Sequence, residues 1–138
     1  MPKIIGIDYG EKRVGLALSS EDMKYSFDYK TIIYENKHQL FHDLKIICQD
    51  EGVGRLVIGL PLDQDGQLGK KAQEVKEFSQ GVSEFLKLPF EFEDERFSTA
   101  LVKQLNREAG KSEKRGKKEI DQQSAKIILQ TYLDRKHG

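Results

Sequence analysis

The sequence holds a single cysteine, Cys48, and one thiol cannot form an internal disulfide. Cysteine used this sparingly fits a reducing compartment, so a cytoplasmic location is expected. Long apolar runs are also missing. None approaches the roughly 20 residues of a membrane-spanning helix, and no membrane partner is expected. Met1-Pro2-Lys3 leads directly into a strand pattern, without the charged and apolar regions of a signal peptide. Charge of one sign is absent as well. Lys and Arg number 23 and Asp and Glu 23, a formal net charge of zero, so global charge names no partner. The chain shows no internal repeat and no low-complexity linker.

What is present is a length of 138 residues with 37 % hydrophobic and 33 % charged residues. That suggests one domain, residues 1–138, with a real core under a heavily charged surface. Ile4, Ile5 and Ile7 form an apolar β-branched run typical of a strand buried on both faces, over about Lys3–Asp8. Gly10 permits a tight turn or a close backbone approach. Strands are expected next at Val14–Ser19 and Lys30–Tyr34. Asn36 reads as the N-cap of a helix to about Glu51, with Leu40, Phe41, Leu44, Ile47 and Cys48 along one side. On that stripe Cys48 is expected to be a buried, inert thiol. Gly52 and Gly54 end the helix.

Arg55–Pro61 reads as a buried parallel strand stopped by proline, and Asp63–Gly66 as a loop. A helix is expected over Leu68–Leu86, and the break at Leu88-Pro89 precedes a half-buried strand, Phe90–Asp94. Ser98 or Thr99 caps a further helix to about Ala109, ended by Gly110. A basic loop, Lys111–Lys118, leads to a last helix over Glu119–Arg135. The order β-β-β-α-β-α-β-α-α implies an α/β fold: a mixed central sheet of five strands with helices on both faces.

Carboxylates recur at the ends of these elements. Asp8 stands where the first strand stops, Asp94-Glu95 close the last strand, and Asp121 opens the last helix. From Asp121, positions Ala125, Ile128 and Tyr132 share one apolar helix face, so Asp121 should point inward. Singly, each acid has an ordinary explanation: an Asx turn, a salt-bridged strand end, a helix N-terminus favoured by the dipole. Together they suggest a cluster, and clustered carboxylates repel unless a cation joins them. Oxygen ligands of this kind select Mg²⁺ or Mn²⁺, and two such ions can drive phosphodiester hydrolysis. From Lys103 to Lys118 seven Lys or Arg face two Glu, a local balance of +5. Between two acidic site elements that run reads as a contact to a phosphate backbone. It lacks interleaved aromatics, so base stacking is not indicated there.

The motifs resemble one known family. Asp8-Tyr9-Gly10-Glu11-Lys12-Arg13-Val14-Gly15-Leu16-Ala17 is similar to the opening motif of the small bacterial YqgF family, also called RuvX. Gly59-Leu60-Pro61-Leu62 with Asp65-Gly66, then Asp94–Thr99, then Asp121 with Ser124-Ala125 and Ile128–Leu133 resemble its later motifs, in order and over essentially the whole chain. The resemblance implies an RNase H-like nuclease domain related to Holliday-junction resolvases, acting in maturation of the 5′ end of pre-16S rRNA. It implies that Asp8, Glu95 and Asp121 are catalytic and bind Mg²⁺ or Mn²⁺. Lys12, Arg13, Arg96, Lys114, Arg115, Lys117 and Lys118 are then the expected nucleic-acid contacts, on pre-rRNA or branched DNA. Asp63-Gln64 stands where the family usually has Asn-Met. Asp94 and Glu95 should point to opposite faces of their strand, so one of them suffices. A resolvase acting on a two-fold junction would be a homodimer; an RNA-processing nuclease can be a monomer.

Two other functions start from the same residues. Asp-x-Gly at a strand–turn–strand also opens actin-like ATPases and sugar kinases, but those need a second lobe and a second glycine-rich loop, for which 138 residues leave no room. A non-catalytic RNA-binding assembly factor would keep the fold without cutting.

Overall fold

The computed structural model describes residues 2–61, 69–94 and 117–137. The loop expected at 63–66, the helix expected from Ser98 or Thr99 to Ala109, and residues 111–116 lie outside the described residues. Five strands and three helices fill the described part. They are β1 (Lys3–Tyr9), β2 (Arg13–Ser19), β3 (Ser26–Ile33), α1 (Lys37–Glu51), β4 (Val53–Leu60), α2 (Lys70–Leu86), β5 (Phe90–Asp94) and α3 (Lys117–His137). The strands form one mixed sheet in the order β3-β2-β1-β4-β5. β1, β2 and β3 pair antiparallel as a meander, whereas β1–β4 and β4–β5 pair parallel. Parallel neighbours need a crossover, which α2 supplies between β4 and β5.

The alternation of the strands splits the core in two. Ile5 and Ile7 of β1, Val14 and Leu16 of β2, and Leu56 and Ile58 of β4 pack against Leu40, Leu44, Val75 and Phe78 of α1 and α2. On the other face Ile4, Ala17 and Val57 pack against Ala125, Ile128, Leu129, Tyr132 and Leu133 of α3. The central strands are therefore apolar on both faces, as their β-branched runs require. Cys48 is buried among α1 residues, and burial pushes its thiol up to about 11, which fits the inert role expected of it. Asn36 caps α1 by accepting from the Gln39 N–H at 2.9 Å, and Gly52 ends it at φ 69°.

Several element boundaries differ from the sequence expectation: β4 begins at Val53, not Arg55, so Gly54 lies in the strand and Gly52 alone ends α1, and α2 begins at Lys70, not Leu68. β3 begins at Ser26, not Lys30. Its first half is held by backbone pairing to β2 and buries little side chain, so an apolar-run criterion passes over it. α3 begins at Lys117, not Glu119, which takes Lys117 and Lys118 out of the expected loop and puts Asp121 in the second helical turn. Lysine and glutamate are good helix formers, and charge alone did not stop the helix.

Candidate active site

The site is built at the end of β1. Asp8 sits opposite Gly15 in the β1–β2 register. Directly opposed residues in an antiparallel pair point to the same face, and here that face carries α3. Gly15 has a specific function in this arrangement. A Cβ on it would lie 2.2 Å from the Asp121 carbonyl oxygen and 2.9 Å from the Asp121 Cβ. The backbone of α3 thus rests directly on the strand, which only glycine allows. With opposed Cβ atoms about 5 Å apart, Asp8 and Asp121 have their Cβ atoms within about 8 Å of each other. Gly6, one strand turn back, does the same for the next part of the helix, since a Cβ there would meet the Leu129 Cβ at 2.8 Å.

Asp121 is half-buried, and Arg13 Nε donates to its Oδ2 at 2.8 Å. Arg13 is the first residue of β2. The turn before it is locked from below. The Tyr34 hydroxyl donates to the Gly10 carbonyl, and the Tyr34 N–H donates to the Lys12 carbonyl at 3.1 Å. Burial and the hydrogen bond with Tyr9 push the Tyr34 hydroxyl well above the ordinary phenol range, so it stays a donor. Tyr34 stacks on Tyr9, whose ring stacks on Phe78 with centroids 4.1 Å apart. A Cβ at Gly10 would lie 2.7 Å from the Arg13 carbonyl, the close approach foreseen for that glycine. Lys12 stands exposed at the tip of the turn.

Of the expected acids, the structure thus brings Asp8 and Asp121 together. Glu95 lies outside the described residues, as do Arg96, Lys114 and Arg115. Lys117 and Lys118 are placed only as the first residues of α3. Among the described residues, no group of three or more His, Cys, Asp or Glu forms a metal cluster. Both side chains are carboxylates, the hard oxygen donors that divalent ions such as Mg²⁺ and Mn²⁺ take. Asp94 follows Phe90 and Phe92, which pack on the α1–α2 side, so it faces away from Asp8 and Asp121. Gly15 and Tyr34 were not singled out in the sequence. A glycine inside a strand pattern is the one local signal for the first; Tyr34 offers none, because its role depends on tertiary contacts.

Residues 2–135 match a family model described as "RuvX: Holliday junction resolvase". A protein of Maridesulfovibrio salexigens is 39 % identical over 133 residues, covering 96 % of this chain and 98 % of its own. One of Syntrophomonas wolfei is 40 % identical over 134 residues, covering 96 % and 94 %. Both carry the name "Putative pre-16S rRNA nuclease". Among solved structures, Thermus thermophilus RuvC in complex with a Holliday junction substrate superposes with a TM-score of 0.61 at 9 % identity, covering 100 % of this chain and 97 % of that one. At that identity the likeness is one of fold, and the fold is RNase H-like, as expected. No described helix is long and apolar enough to cross a membrane.

Proposed function

This chain belongs to the RuvX family, and on that premise we propose that it is a metal-dependent nuclease that hydrolyses phosphodiester bonds to mature the 5′ end of pre-16S rRNA. The observation that carries the chemistry is the convergence of Asp8 and Asp121 on the α3 face where β1 ends. Glu95 is the proposed third ligand. Asp94 is the weaker candidate, because it shares the face of Phe90 and Phe92 that packs on α1 and α2 and not the face of α3. Asp8, Glu95 and Asp121 would hold Mg²⁺ or Mn²⁺ through oxygen atoms alone. Such ions, when bound, activate a water and stabilise the leaving oxygen. Arg13 pairs with Asp121 and offsets its charge in the metal-free protein.

Lys12, Arg13, Arg96, Lys114, Arg115, Lys117 and Lys118 are the proposed phosphate contacts. Lys117 and Lys118 occupy the first turn of α3. Cations at a helix N-terminus oppose the helix dipole, a cost that a bound phosphate offsets. The proposed location is the cytoplasm, where pre-rRNA is processed.

A second reading, resolution of four-way DNA junctions, is favoured by the description of the family model. The test compares a pre-16S RNA carrying its 5′ extension with a four-way junction, each given pure protein with Mn²⁺ or with chelator. The RNA reading predicts Mn²⁺-dependent shortening of the extension and loss of cutting in Asp8→Asn. Cutting of the junction alone supports the second reading. Binding without cutting of either supports an assembly factor.

A further inference from the structure

The four most exposed large apolar side chains among the described residues gather at one edge of the molecule. Tyr25, Phe27 and Ile33 lie on or beside β3 and Ile46 on α1, each 49 to 60 % exposed. A shallow groove of about 300 Å³ runs between β3 and α1, with Lys30, Ile32, Asp43 and Ile46 on its walls. β3 is the outer strand on this side, so alternate backbone N–H and C=O groups point away from β2. An outer strand with apolar surroundings is a template for pairing unless something blunts it.

The bulge in β3 decides what can pair with it. Its register against β2 shifts between Leu16 and Ala17, with Tyr29 as the extra residue. Before the bulge, Phe27 lies opposite Leu18 on the α1–α2 face and Asp28 opposite Ala17 on the α3 face. After it, Lys30 and Ile32 lie on the α1–α2 face opposite Leu16 and Val14, and Thr31 on the α3 face opposite Gly15. Tyr29 packs on the α1–α2 side. Opposed side chains in an antiparallel pair must share a face. A regular strand meets a copy of itself in this way when the two-fold axis passes through a residue. With the bulge, the axis has to fall between Tyr29 and Lys30. Phe27 then opposes Ile32, Asp28 opposes Thr31 and Tyr29 opposes Lys30, and each pair shares a face.

Charge agrees with this register. Lys24 of one copy meets Glu35 of the other beyond both ends of the pairing, and no like charges are opposed. Lys30 meets a Tyr29 ring, a contact it already makes within its own chain at 6.0 Å. Moving the axis onto Lys30 would oppose two lysines. From this self-complementarity we infer that β3 is a homodimer interface. Two copies join by antiparallel β3–β3 pairing centred between Tyr29 and Lys30, giving a continuous ten-stranded sheet. A second copy fits better than a foreign peptide because both halves of the match come from the same strand. The inference stands apart from the nuclease reading, and its test uses no nucleic acid.

Sedimentation equilibrium of the full chain from low micromolar to several hundred micromolar concentrations tests it. The mass should rise from 15.9 kDa toward twice that value. Lys24→Glu creates two symmetric like-charge pairs and should weaken the dimer about tenfold. Lys24→Glu with Glu35→Lys should restore it. The double variant Asp28→Cys/Thr31→Cys should give a disulfide-linked dimer under mild oxidation, since opposed Cα atoms lie within disulfide reach. Each single cysteine variant should not, and the native Cys48 is buried. A mass that stays at one chain throughout, a charge swap that restores nothing, or single variants that cross-link as readily as the double would overturn the inference.

Discussion

Arg13 and Asp121, 108 residues apart in sequence, meet through a 2.8 Å hydrogen bond from Nε to Oδ2. The contact ties the first residue of β2 to the second turn of α3, on the sheet face that also carries Asp8. It places a fixed positive charge beside a pair of acids that would otherwise repel.

A guanidinium on Asp121 competes with any metal that uses the same carboxylate. Arg13→Ala should therefore cost the metal-free protein little, at most about 1 kcal/mol for a half-exposed pair. It should increase the rise in melting temperature that Mn²⁺ produces. Thermal melts of parent and variant over an Mn²⁺ series check this. A smaller Mn²⁺ response in the variant would mean that Arg13 supports the metal site instead of competing for it.

Gly15→Ala is expected to be costly although the added group is one methyl. The new Cβ would sit 2.2 Å from a carbonyl oxygen of α3, and backbone cannot swing aside as a side chain does. A loss of about 1–3 kcal/mol follows from overpacking, together with impaired cleavage as Asp121 is pushed away from Asp8. Denaturant unfolding and an activity assay on the same sample measure both. A variant as stable and active as the parent would contradict the close seating of α3 on β2.

Much of this arrangement was legible in the sequence. The apolar runs of β1 and β4 needed burial on both faces, and the helical spacing from Asp121 through Tyr132 placed that acid toward the sheet. Other parts depend on distant partners. Gly15 reads only as a weak strand residue until α3 is laid on it, and Arg13 was expected on phosphate, with nothing local to pair it with an acid 108 residues away. The acidic face of β5 looked like a solvent face by alternation. It is instead covered by the end of α3, where Glu91 meets Tyr132 and Glu93 meets Arg135. The first half of β3 shows no apolar run, because an outer strand can be held by backbone pairing alone.

Glu91 should contribute an acid-dependent part of the stability. It accepts from the Tyr132 hydroxyl and from Arg55 at 2.9 Å, with Lys136 at 3.6 Å. The Tyr132 bond foremost, then Arg55 and Lys136, hold its carboxyl below the usual carboxylate range. A depressed folded-state pKa means that the contribution is present above the unfolded value of about 4.3 and is lost as pH falls through the folded value. Glu91→Gln should therefore be less stable than the parent near neutrality, with the gap closing as pH falls below the ordinary carboxylate range. Urea unfolding at neutral and at acid pH checks it; a gap independent of pH would show that the ionised carboxylate contributes nothing.

The basic segment should govern affinity and not the chemical step. Replacing Lys114, Arg115, Lys117 and Lys118 with Ala is expected to weaken binding to all nucleic acids alike, because phosphate contacts carry little sequence information. The salt dependence should flatten by roughly one slope unit per lost contact, while cutting at saturating substrate largely survives. Affinity measured from low to physiological salt decides; an unaltered slope would return these residues to an ordinary solvated surface.

The central claim is that Asp8, Glu95 and Asp121 form one metal-dependent cutting site. Its most direct test is single-turnover cleavage of a pre-16S RNA 5′ extension by pure protein, comparing the parent with Asp8→Asn, Glu95→Gln and Asp121→Asn at equal, verified RNA binding. The account predicts Mn²⁺- or Mg²⁺-dependent cleavage by the parent and a loss of at least about a hundredfold in each variant. Undiminished cutting by any of the three, or parent cleavage that persists in chelator, would contradict it.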